Sequence, residues 1–279
     1  MSGFKTIDLK DIAYFQSIVG EDHCIHNSND LDEYSRDYTE DLSFMPSCAL
    51  LPKSAQEISI ILAYCNKKII PVTPRGAGTS LSGGALPVHG GLVISTKRLN
   101  KVLEIDEQNF FVVTEPGVVN EDLRQKLQEK GLTYPPDPAS KGSCFIGGNI
   151  AHSSGGPQAL KYGSTKEYVL NLELVLPNGK IIWTGANTIK NSTGYNITQL
   201  VVGSEGTLGI VTKAVLKVIP ALQEKILMVA GFENATDACA TVAPLFMKGL
   251  EPALVELLDE KGVALAVEAK GLANPFLKK

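Results

Sequence analysis

The sequence has little of what a nucleic-acid-binding, membrane-spanning or disulfide-stabilised protein requires. Its 26 lysines and arginines are outnumbered by 30 aspartates and glutamates, and the net charge of −4 comes without a basic cluster, which argues against a nucleic-acid partner. No apolar run approaches the length of a transmembrane segment, and the N-terminus lacks the apolar stretch of a signal peptide. The five cysteines are scattered, odd in number and without CxxC spacing, so we expect reduced thiols in a cytoplasmic protein.

Histidine is also scarce. The sequence has 4 histidines, and none follows His152. His23 and His26 lie close enough to suggest a metal site, but no third ligand accompanies them, and protein metal sites need at least three. We therefore expect a solvated loop at this point and no bound metal.

Glycine, in contrast, is abundant and unevenly placed. Of 26 glycines, 20 lie between Gly76 and Gly209. Glycine concentrated in this way marks positions where the backbone takes positive φ angles or approaches a ligand closely. It could also mark a loose segment, but apolar runs flank the glycines, and the composition of 44% hydrophobic and 20% charged residues is ordinary for a globular protein. We therefore favour a ligand site.

Hydrophobic periodicity predicts a mixture of helices and strands. The predicted helices cover residues 6–20, 54–67 and 120–130, the first of these followed by an extended arm over 27–47, and the predicted strands cover 69–73, 91–95, 110–115, 168–176, 180–184 and 209–218. The helix at 54 begins with a capping-box pattern, Ser-x-x-Glu. After Pro220 the pattern predicts a strand at 226–232, a helix at 235–248, a strand at 252–257 and a helix at 261–269. Because two strands are too few for a stable sheet, they pair elsewhere or belong to a longer protein.

Three glycine-rich segments carry the functional signal, at residues 74–84, 135–156 and 203–210. In the first, closely spaced glycines let successive backbone N–H groups converge on one anion, and Thr79, Ser80 and Ser82 add hydroxyl donors. It is not a Rossmann GxGxxG motif, since Leu81 stands in place of the third glycine, nor a P-loop, since no Gly-Lys-Ser/Thr follows. Taken alone it could be a long β-turn or an Ω-loop. The three segments together predict a large, elongated ligand.

Together with Lys161-Tyr162-Gly163 and Gly194-Tyr195-Asn196, these segments resemble the FAD-linked oxidases of the vanillyl-alcohol oxidase and p-cresol methylhydroxylase (PCMH) type. Within that family they are most similar to the glycolate oxidase D subunit and to the D-lactate and D-2-hydroxyglutarate dehydrogenases. The resemblance covers residues 46–220 with the order and spacing of every motif kept.

The resemblance implies an α+β fold in which two α/β subdomains form a PCMH-type FAD-binding domain, followed by an incomplete antiparallel, ferredoxin-like cap. The expected domains are an N-terminal helix and arm at residues 1–45, the FAD-binding domain at 46–220, and the start of a cap or substrate domain at 221–279, which looks truncated.

The resemblance also implies FAD as the cofactor and a set of residues that bind it. The first segment would wrap the pyrophosphate with Pro74, Arg75, Gly76, Ala77, Gly78, Thr79, Ser80, Leu81 and Gly84. The second would lie along the ribityl chain and flavin with Pro136, Asp137, Gly142, Ser143, Gly147, Gly148 and Asn149, while Gly155 and Gly156 approach the cofactor. The third would close over the adenine side or its ribose with Glu205, Gly209, Ile210 and Val211.

Some relatives in this family tether FAD covalently through a histidine near the end of the first segment. Thr79 or a neighbour stands there in this sequence, so we expect non-covalent FAD. Cys144 could form a thioether to the flavin, but a small buried thiol is the favoured alternative. His152 could line the active site near the flavin, although a hydrogen-bonded structural histidine is favoured. The catalytic base is left unassigned.

The resemblance implies an FAD-dependent oxidoreductase that oxidises a small 2-hydroxy acid, such as glycolate or D-lactate, by hydride transfer to flavin N5. A quinone, an electron-transfer flavoprotein or an iron–sulfur partner subunit would accept the electrons. In the family, the proton-abstracting base and the metal ligands for the hydroxy acid lie in histidine-rich motifs of the cap, which are absent here. The alternative is therefore an FAD-binding subunit or fragment without independent catalysis, completed by a partner chain. A reductase of the type that makes UDP-N-acetylmuramic acid resembles the motifs less.

Overall fold

Up to Pro220 the chain folds into two large β-sheets with helices packed on them. The structure is a computed structural model that describes residues 3–221, 224 and 226–271. Its helices are α1 (Leu9–Val19), α2 (Ser28–Ser35), α3 (Ala55–Lys68), α4 (Asn120–Gln128), α5 (Ile146–His152), α6 (Ala159–Tyr162), α7 (Ile197–Val201), α8 (Ala235–Ala240), α9 (Val242–Met247) and α10 (Glu260–Lys270). Its strands are β1 (Cys24–Ile25), β2 (Cys48–Leu50), β3 (Val72–Arg75), β4 (Leu92–Ser95), β5 (Val102–Asp106), β6 (Phe111–Thr114), β7 (Leu132–Thr133), β8 (Val169–Val175), β9 (Ile181–Trp183), β10 (Ile210–Lys217) and β11 (Ile219–Pro220).

The first sheet has the order β1-β2-β4-β3, in which β2, β4 and β3 run parallel and β1 is antiparallel to β2. Every residue of β2 and β4 is buried, as expected for parallel strands covered on both faces. On one face α1 and α3 contribute Phe15, Ile58 and Ile61 to the core, and on the other α2 contributes Leu31 and Tyr34. The first glycine segment leaves the carboxyl end of β3, the edge at which open α/β sheets bind ligands.

The second sheet is antiparallel throughout, with the order β5-β6-β10-β8-β9. A large apolar core on this sheet includes side chains from α4, α5 and α7. The two sheets are joined, because Val175 of β8 and Ile210 of β10 pack in the core of the first sheet. The hydroxyl of Ser59 in α3 also donates a hydrogen bond of 2.5 Å to the carbonyl of Gly179, in the turn between β8 and β9.

Most of the elements expected from hydrophobic periodicity are confirmed. The helices α1, α3, α4 and α10 and the strands β4, β6, β8, β9 and β10 overlap their expected ranges, and β8 and β9 form the expected hairpin. The capping box is half formed: the Ser54 hydroxyl accepts the N–H of Glu57, but the Glu57 carboxylate accepts the N–H of Lys53. The α+β class with two sheet-containing subdomains is confirmed.

Some local predictions were wrong. The strand expected at 69–73 forms at Val72–Arg75 instead, because Ile69 ends α3 in a left-handed conformation with φ of 57°. The arm expected to be extended contains α2, whose N-cap Asn27 accepts the N–H of Asn29. Helix α5 lies inside the second glycine segment, where no helix was predicted, since its Gly-Gly pair hides the helical pattern.

The two strands predicted after Pro220 are not formed in the described residues. Residues 226–232 and 252–257 have no ladder partner, and the side chains of Ile226 and Leu227 are 90% and 81% exposed. Strand-forming residues without a neighbouring strand gain no ladder hydrogen bonds and no buried face. The predicted helices form as α8, α9 and α10, with a break at Thr241. Part of the expected cap region, residues 222, 223, 225 and 272–279, lies outside the described residues.

The chemical character of the chain agrees with its composition. All five cysteines are free, four of them buried and Cys239 exposed. None of the described helices is long and apolar enough to cross a membrane.

The buried carboxylate of Asp11 joins the N-terminal helix α1 to α3. The Asp11 carboxylate is 1% exposed and pairs with Lys5. It also accepts hydrogen bonds from the backbone N–H of Asp8 at 2.9 Å and from the hydroxyl of Tyr64 at 2.7 Å. Burial opposes ionisation, but these partners outweigh it and lower the pKa of Asp11 to about 2.

We expect Asp11→Asn to destabilise the protein at pH 7 by about 1–3 kcal/mol, because it removes the charge from a buried hydrogen-bonded group. The folded-state pKa lies below the value of about 3.9 for an unfolded aspartate. The stabilisation is therefore complete above about pH 4 and is lost as the pH falls toward 2. Urea unfolding at pH 7 and at about pH 3 measures it, with the exposed Asp22→Asn as control. A variant effect of equal size at both pH values would contradict this account.

Candidate functional site

The three glycine-rich segments line one cavity of about 750 Å³. The first segment leaves β3, the second contains α5, and the third leads into β10. A volume of this size lies in the range of pockets that hold cofactors and other small molecules. Segments more than a hundred residues apart in the sequence therefore converge on one site.

The first segment presents a row of backbone donors to the cavity. The N–H groups of residues 76 to 81 donate to no acceptor among the described residues, whereas the next two are paired. Those two, of Ser82 and Gly83, donate to the Ser80 hydroxyl at 3.1 Å and to the Thr39 hydroxyl at 2.7 Å. Successive backbone N–H groups that line a cavity and lack a protein acceptor suit an anionic ligand.

Arg75 places a buried positive charge beside this row. Its side chain is 7% exposed, and its Nη2 donates a hydrogen bond of 2.9 Å to the carbonyl of Glu33. Its Nη1 has no partner among the described residues, and burial lowers the pKa of Arg75. The backbone of Gly78, with φ of 73°, lies directly against the guanidinium of Arg75, so that a Cβ on Gly78 would overlap it. An unpaired, desolvated N–H of a cation is a strong donor for a phosphate oxygen.

The first and second segments meet backbone to backbone. A Cβ on Gly76 would lie 3.5 Å from the backbone nitrogen of Gly148. A Cβ on Gly148 would meet no protein atom within 4 Å, so this residue borders the open space of the cavity. Behind it, a Cβ on Gly147 would lie 2.6 Å from the Cβ of Pro116. Bare backbone on both sides leaves room for a ligand to lie flat against the peptide planes.

Asn149 fixes the second segment from behind. Its amide oxygen accepts from the Nδ2 of Asn120 at 3.1 Å, and its own Nδ2 donates to the sulfur of Cys144 at 3.3 Å. Cys144 is 2% exposed and lies at the cavity wall, so it is a buried thiol, the favoured alternative. Both Asn120 and Asn149 are buried, and such paired buried amides hold a loop in one conformation.

The third segment closes on the other two. A Cβ on Gly206 would lie 2.5 Å from the Cγ of Pro74, and one on Gly84 would lie 2.7 Å from an Oε atom of Glu205. The other carboxylate oxygen of Glu205 is 2.7 Å from the Nδ1 of His152. His152 is therefore hydrogen-bonded, as expected of a structural histidine, and it also lines the cavity.

The structure brings nearly all of the predicted cofactor-binding residues to this cavity. Those that line it are Pro74, Arg75, Gly76, Ala77, Gly78, Thr79, Ser80, Leu81, Gly84, Ser143, Gly147, Gly148, Asn149, Gly155, Gly156, Glu205, Gly209, Ile210 and Val211. Pro136, Asp137 and Gly142 do not line it. The carbonyl of Pro136 and the buried carboxylate of Asp137 instead accept hydrogen bonds from Asn120 and Gln158, and so support the wall from outside.

Several lining residues were not predicted. Most of them lie within the three segments or next to them in the sequence, and therefore also next to them in space. Tyr38, Thr96, Pro116 and Val201 come from elsewhere in the sequence. Tyr38 is tied to the first segment by its N–H, which donates to the carbonyl of Ser80 at 2.9 Å. No local pattern marks these residues, since only the tertiary fold brings them to the site.

Comparison with known proteins identifies the family. A family profile described as an FAD binding domain matches residues 46–185 of the 279. The chain is 46% identical over 227 residues to the glycolate oxidase subunit GlcD of Bacillus subtilis. This alignment covers 81% of this chain and 48% of that protein. It is 42% identical over 237 residues to the D-lactate dehydrogenase of Anaerostipes hadrus, with 83% and 50% covered. The chain belongs to this FAD-binding family.

The fold comparison agrees with the sequence comparison. The structure of an alkyldihydroxyacetonephosphate synthase matches with a TM-score of 0.76 at 22% identity, covering 91% of this chain and 48% of that one. The expected PCMH-type fold and the expected cofactor, FAD, are thereby confirmed. The FAD-binding chain spans about half the length of the curated relatives it matches.

The cavity of this FAD-binding protein fits its cofactor on three counts. It has a row of free N–H groups, an orphaned guanidinium nitrogen on Arg75, and open space where a side chain on Gly148 would lie. The first two suit a diphosphate, and the third suits a flat group that lies against bare backbone. These features belong to the chain and do not depend on the comparisons.

We expect Gly148→Val to fold normally and to lose FAD, because the new side chain meets no protein atom near its Cβ but takes up cavity space. The matched control is Gly142→Val, whose Cβ also meets nothing within 4 Å but which does not line the cavity. The measurements are the bound FAD per chain and the melting temperature of each purified apoprotein. Full FAD occupancy in the Gly148 variant would contradict the assignment of this wall.

Proposed function

We propose that this chain is an FAD-dependent oxidoreductase, or the flavin-binding part of one, that oxidises a small 2-hydroxy acid such as glycolate or D-lactate. The observation that carries the proposal is the 46% identity to a glycolate oxidase subunit, over a chain whose glycine segments enclose a cavity suited to FAD. The similar D-lactate dehydrogenases point to the same class of substrate.

In this proposal the chain's residues hold the cofactor in an extended cleft. The free N–H groups of residues 76 to 81, together with Arg75, would bind the diphosphate. Gly147, Gly148 and Asn149 would lie along the ribityl chain and the flavin, and Glu205 with residues 209–211 would close over the adenine side. When bound, the flavin supplies the acceptor, at N5, for the hydride on the substrate's α-carbon.

The remaining task of the chain is to exclude water and to keep the reacting face accessible. Pro116 and Ile150 contribute apolar surface to the cavity wall, and a low-dielectric wall strengthens the electrostatic contacts inside. We further propose the domain boundaries expected above, with residues 46–220 as the FAD-binding domain and 221–279 as the start of a cap.

The second candidate function is an FAD-binding subunit or fragment that needs a partner chain to complete its site. The cavity lining favours it, because the ionisable side chains there are limited to Tyr38, Arg75, Cys144, His152 and Glu205. The exposed apolar residues Ile226 and Leu227 in the segment after Pro220 favour it too. For either candidate we also propose an iron–sulfur or other electron-accepting partner subunit, and a cytoplasmic location with peripheral contact at the inner face of a membrane.

Dye-linked turnover separates the two candidates. The 279-residue chain, loaded with FAD, is incubated with D-lactate or glycolate and an artificial dye acceptor, with L-lactate as the control substrate. The first candidate predicts dye reduction with the two former compounds and not with L-lactate. A chain that retains FAD but reduces no dye would contradict independent catalysis and favour the second candidate. A chain that cannot be reconstituted with FAD would overturn both.

Acid precipitation tests how FAD is held. We expect the yellow colour to remain in the supernatant, because Thr79 stands where a tethering histidine would be and Cys144 is buried and engaged by Asn149. The absorbance at 450 nm of supernatant and dissolved pellet measures the partition. A yellow pellet from the wild type that becomes colourless in Cys144→Ser would show a thioether instead.

A further inference from the structure

The cavity has an unusual balance of charge for a site that receives a diphosphate. Among the ionisable residues that line it in the described part of the chain, Arg75 is the single permanent cation and Glu205 the single carboxylate. These two formal charges cancel. The free N–H groups then supply the attraction for a dianionic ligand, and His152 is the remaining lining residue that can add a positive charge near neutral pH.

Glu205 is held close to the row of free N–H groups. One of its Oε atoms lies 2.7 Å from the position of a Cβ on Gly84, and the hydroxyl of Ser80 lies 4.0 Å from the same point. Its backbone is left-handed, with φ of 52°, and its N–H donates to the carbonyl of Ala151 at 2.9 Å. A non-glycine residue kept in this conformation costs free energy and is characteristic of functional sites.

His152 is positioned on the opposite side of this carboxylate. It is the last residue of α5, and Ser153 ends the helix with φ of 54°. The Nδ1 of His152 lies 2.7 Å from the Oε1 of Glu205, a separation typical of charge-assisted hydrogen bonds. The neighbouring N–H of Gly203 donates to the carbonyl of Ile150 at 2.9 Å, so the two backbones that carry the pair are tied together.

We propose that His152 is a charge-compensating residue for the cofactor: it takes up a proton from solvent when FAD binds, and the imidazolium then neutralises Glu205, which closes over the adenine side next to Gly84 of the diphosphate-binding segment. This inference rests on FAD occupying the cavity as proposed above, but not on the substrate. The side chains of His152 and Glu205 are 57% and 42% exposed, and bound FAD would displace water from around them. Without the proton, the Glu205 carboxylate and the phosphate oxygens would then repel each other. With it, Nδ1–H donates to Glu205 and the ring adds a positive charge to the wall.

The proposal has a definite pH signature. Affinity for FAD is highest where His152 is protonated before binding, and it falls as the pH rises and the proton must be taken from solvent at increasing cost. Arg75 contributes at all pH values, since its charge does not titrate in this range. A neutral His152 that merely donates Nδ1–H to Glu205 would leave affinity independent of pH and would bind no proton.

Titration calorimetry of the apoprotein with FAD tests this directly. Binding is measured from pH 6 to pH 8.5, and at pH 7.5 in phosphate and in Tris, whose different ionisation enthalpies reveal proton uptake. For the wild type we expect a loss of roughly tenfold in affinity across the range, as for about 1.4 kcal/mol of lost charge compensation, with net proton uptake. His152→Gln should bind weakly and equally at all pH values.

Further variants separate charge from structure. Because Gln has no negative charge, His152→Gln/Glu205→Gln should regain the affinity that His152→Gln loses, whereas a structural role for His152 predicts no recovery. Arg75→Gln should bind more weakly at every pH but keep the slope. The control His26→Gln, exposed and outside the cavity, should match the wild type.

The outcomes distinguish this inference from the proposed function. A wild-type pH profile that persists in His152→Gln, or an absence of proton uptake, would overturn it. Proton uptake with no oxidation of any 2-hydroxy acid would support the role of His152 while contradicting the proposed substrate. Failure of the wild type to bind FAD at any pH would overturn both.

Discussion

The site depends on a contact between two stretches of bare backbone. A Cβ on Gly76 would lie 3.5 Å from the nitrogen of Gly148, in van der Waals contact with the start of α5. A side chain on Gly148 would meet no protein atom near its Cβ and would instead fill the cavity between the β3 loop and α5. The rigid features around this contact, the buried Asn120–Asn149 pair and Gly206 against Pro74, hold the loops at that distance.

The guanidinium of Arg75, which lines the cavity, is held in place by helix α2, a part of the chain outside the matched family profile. Arg75 is anchored by the carbonyl of Glu33, and its guanidinium lies 5.8 Å from the ring of Tyr34. Both belong to α2, which precedes the residues 46–185 matched by the profile. The N-terminal arm therefore has a structural role, because its helix α2 orients the guanidinium of Arg75. Without α2 this buried cation would lack these partners.

Sequence reasoning located the cavity better than it located the elements that build it. Glycine spacing identified the three segments, because a backbone that lies close to a ligand has no room for side chains. Each position without a side chain is visible in the sequence as a glycine. It also named Pro136, Asp137 and Gly142, which flank the wall in the structure, since adjacency along the chain does not show which side faces inward. Helix α5 was missed because its glycines lower helix propensity while tertiary packing of Ile146 and Ile150 stabilises it. Tyr38 and the His152–Glu205 pair could not be predicted, since only the folded chain joins residues so far apart.

Strand β10 lies in the middle of the second sheet, yet it is the last of that sheet's strands to be synthesised. Until it emerges from the ribosome, β6 and β8 have no neighbour between them, and the hairpin of β8 with β9 cannot join β5 and β6. The third wall of the cavity arrives with the same strand. The sheet and the cavity are therefore complete only after Lys217, the end of β10, has left the exit tunnel, and until then the edges of the partly formed sheet are open to pairing with other chains.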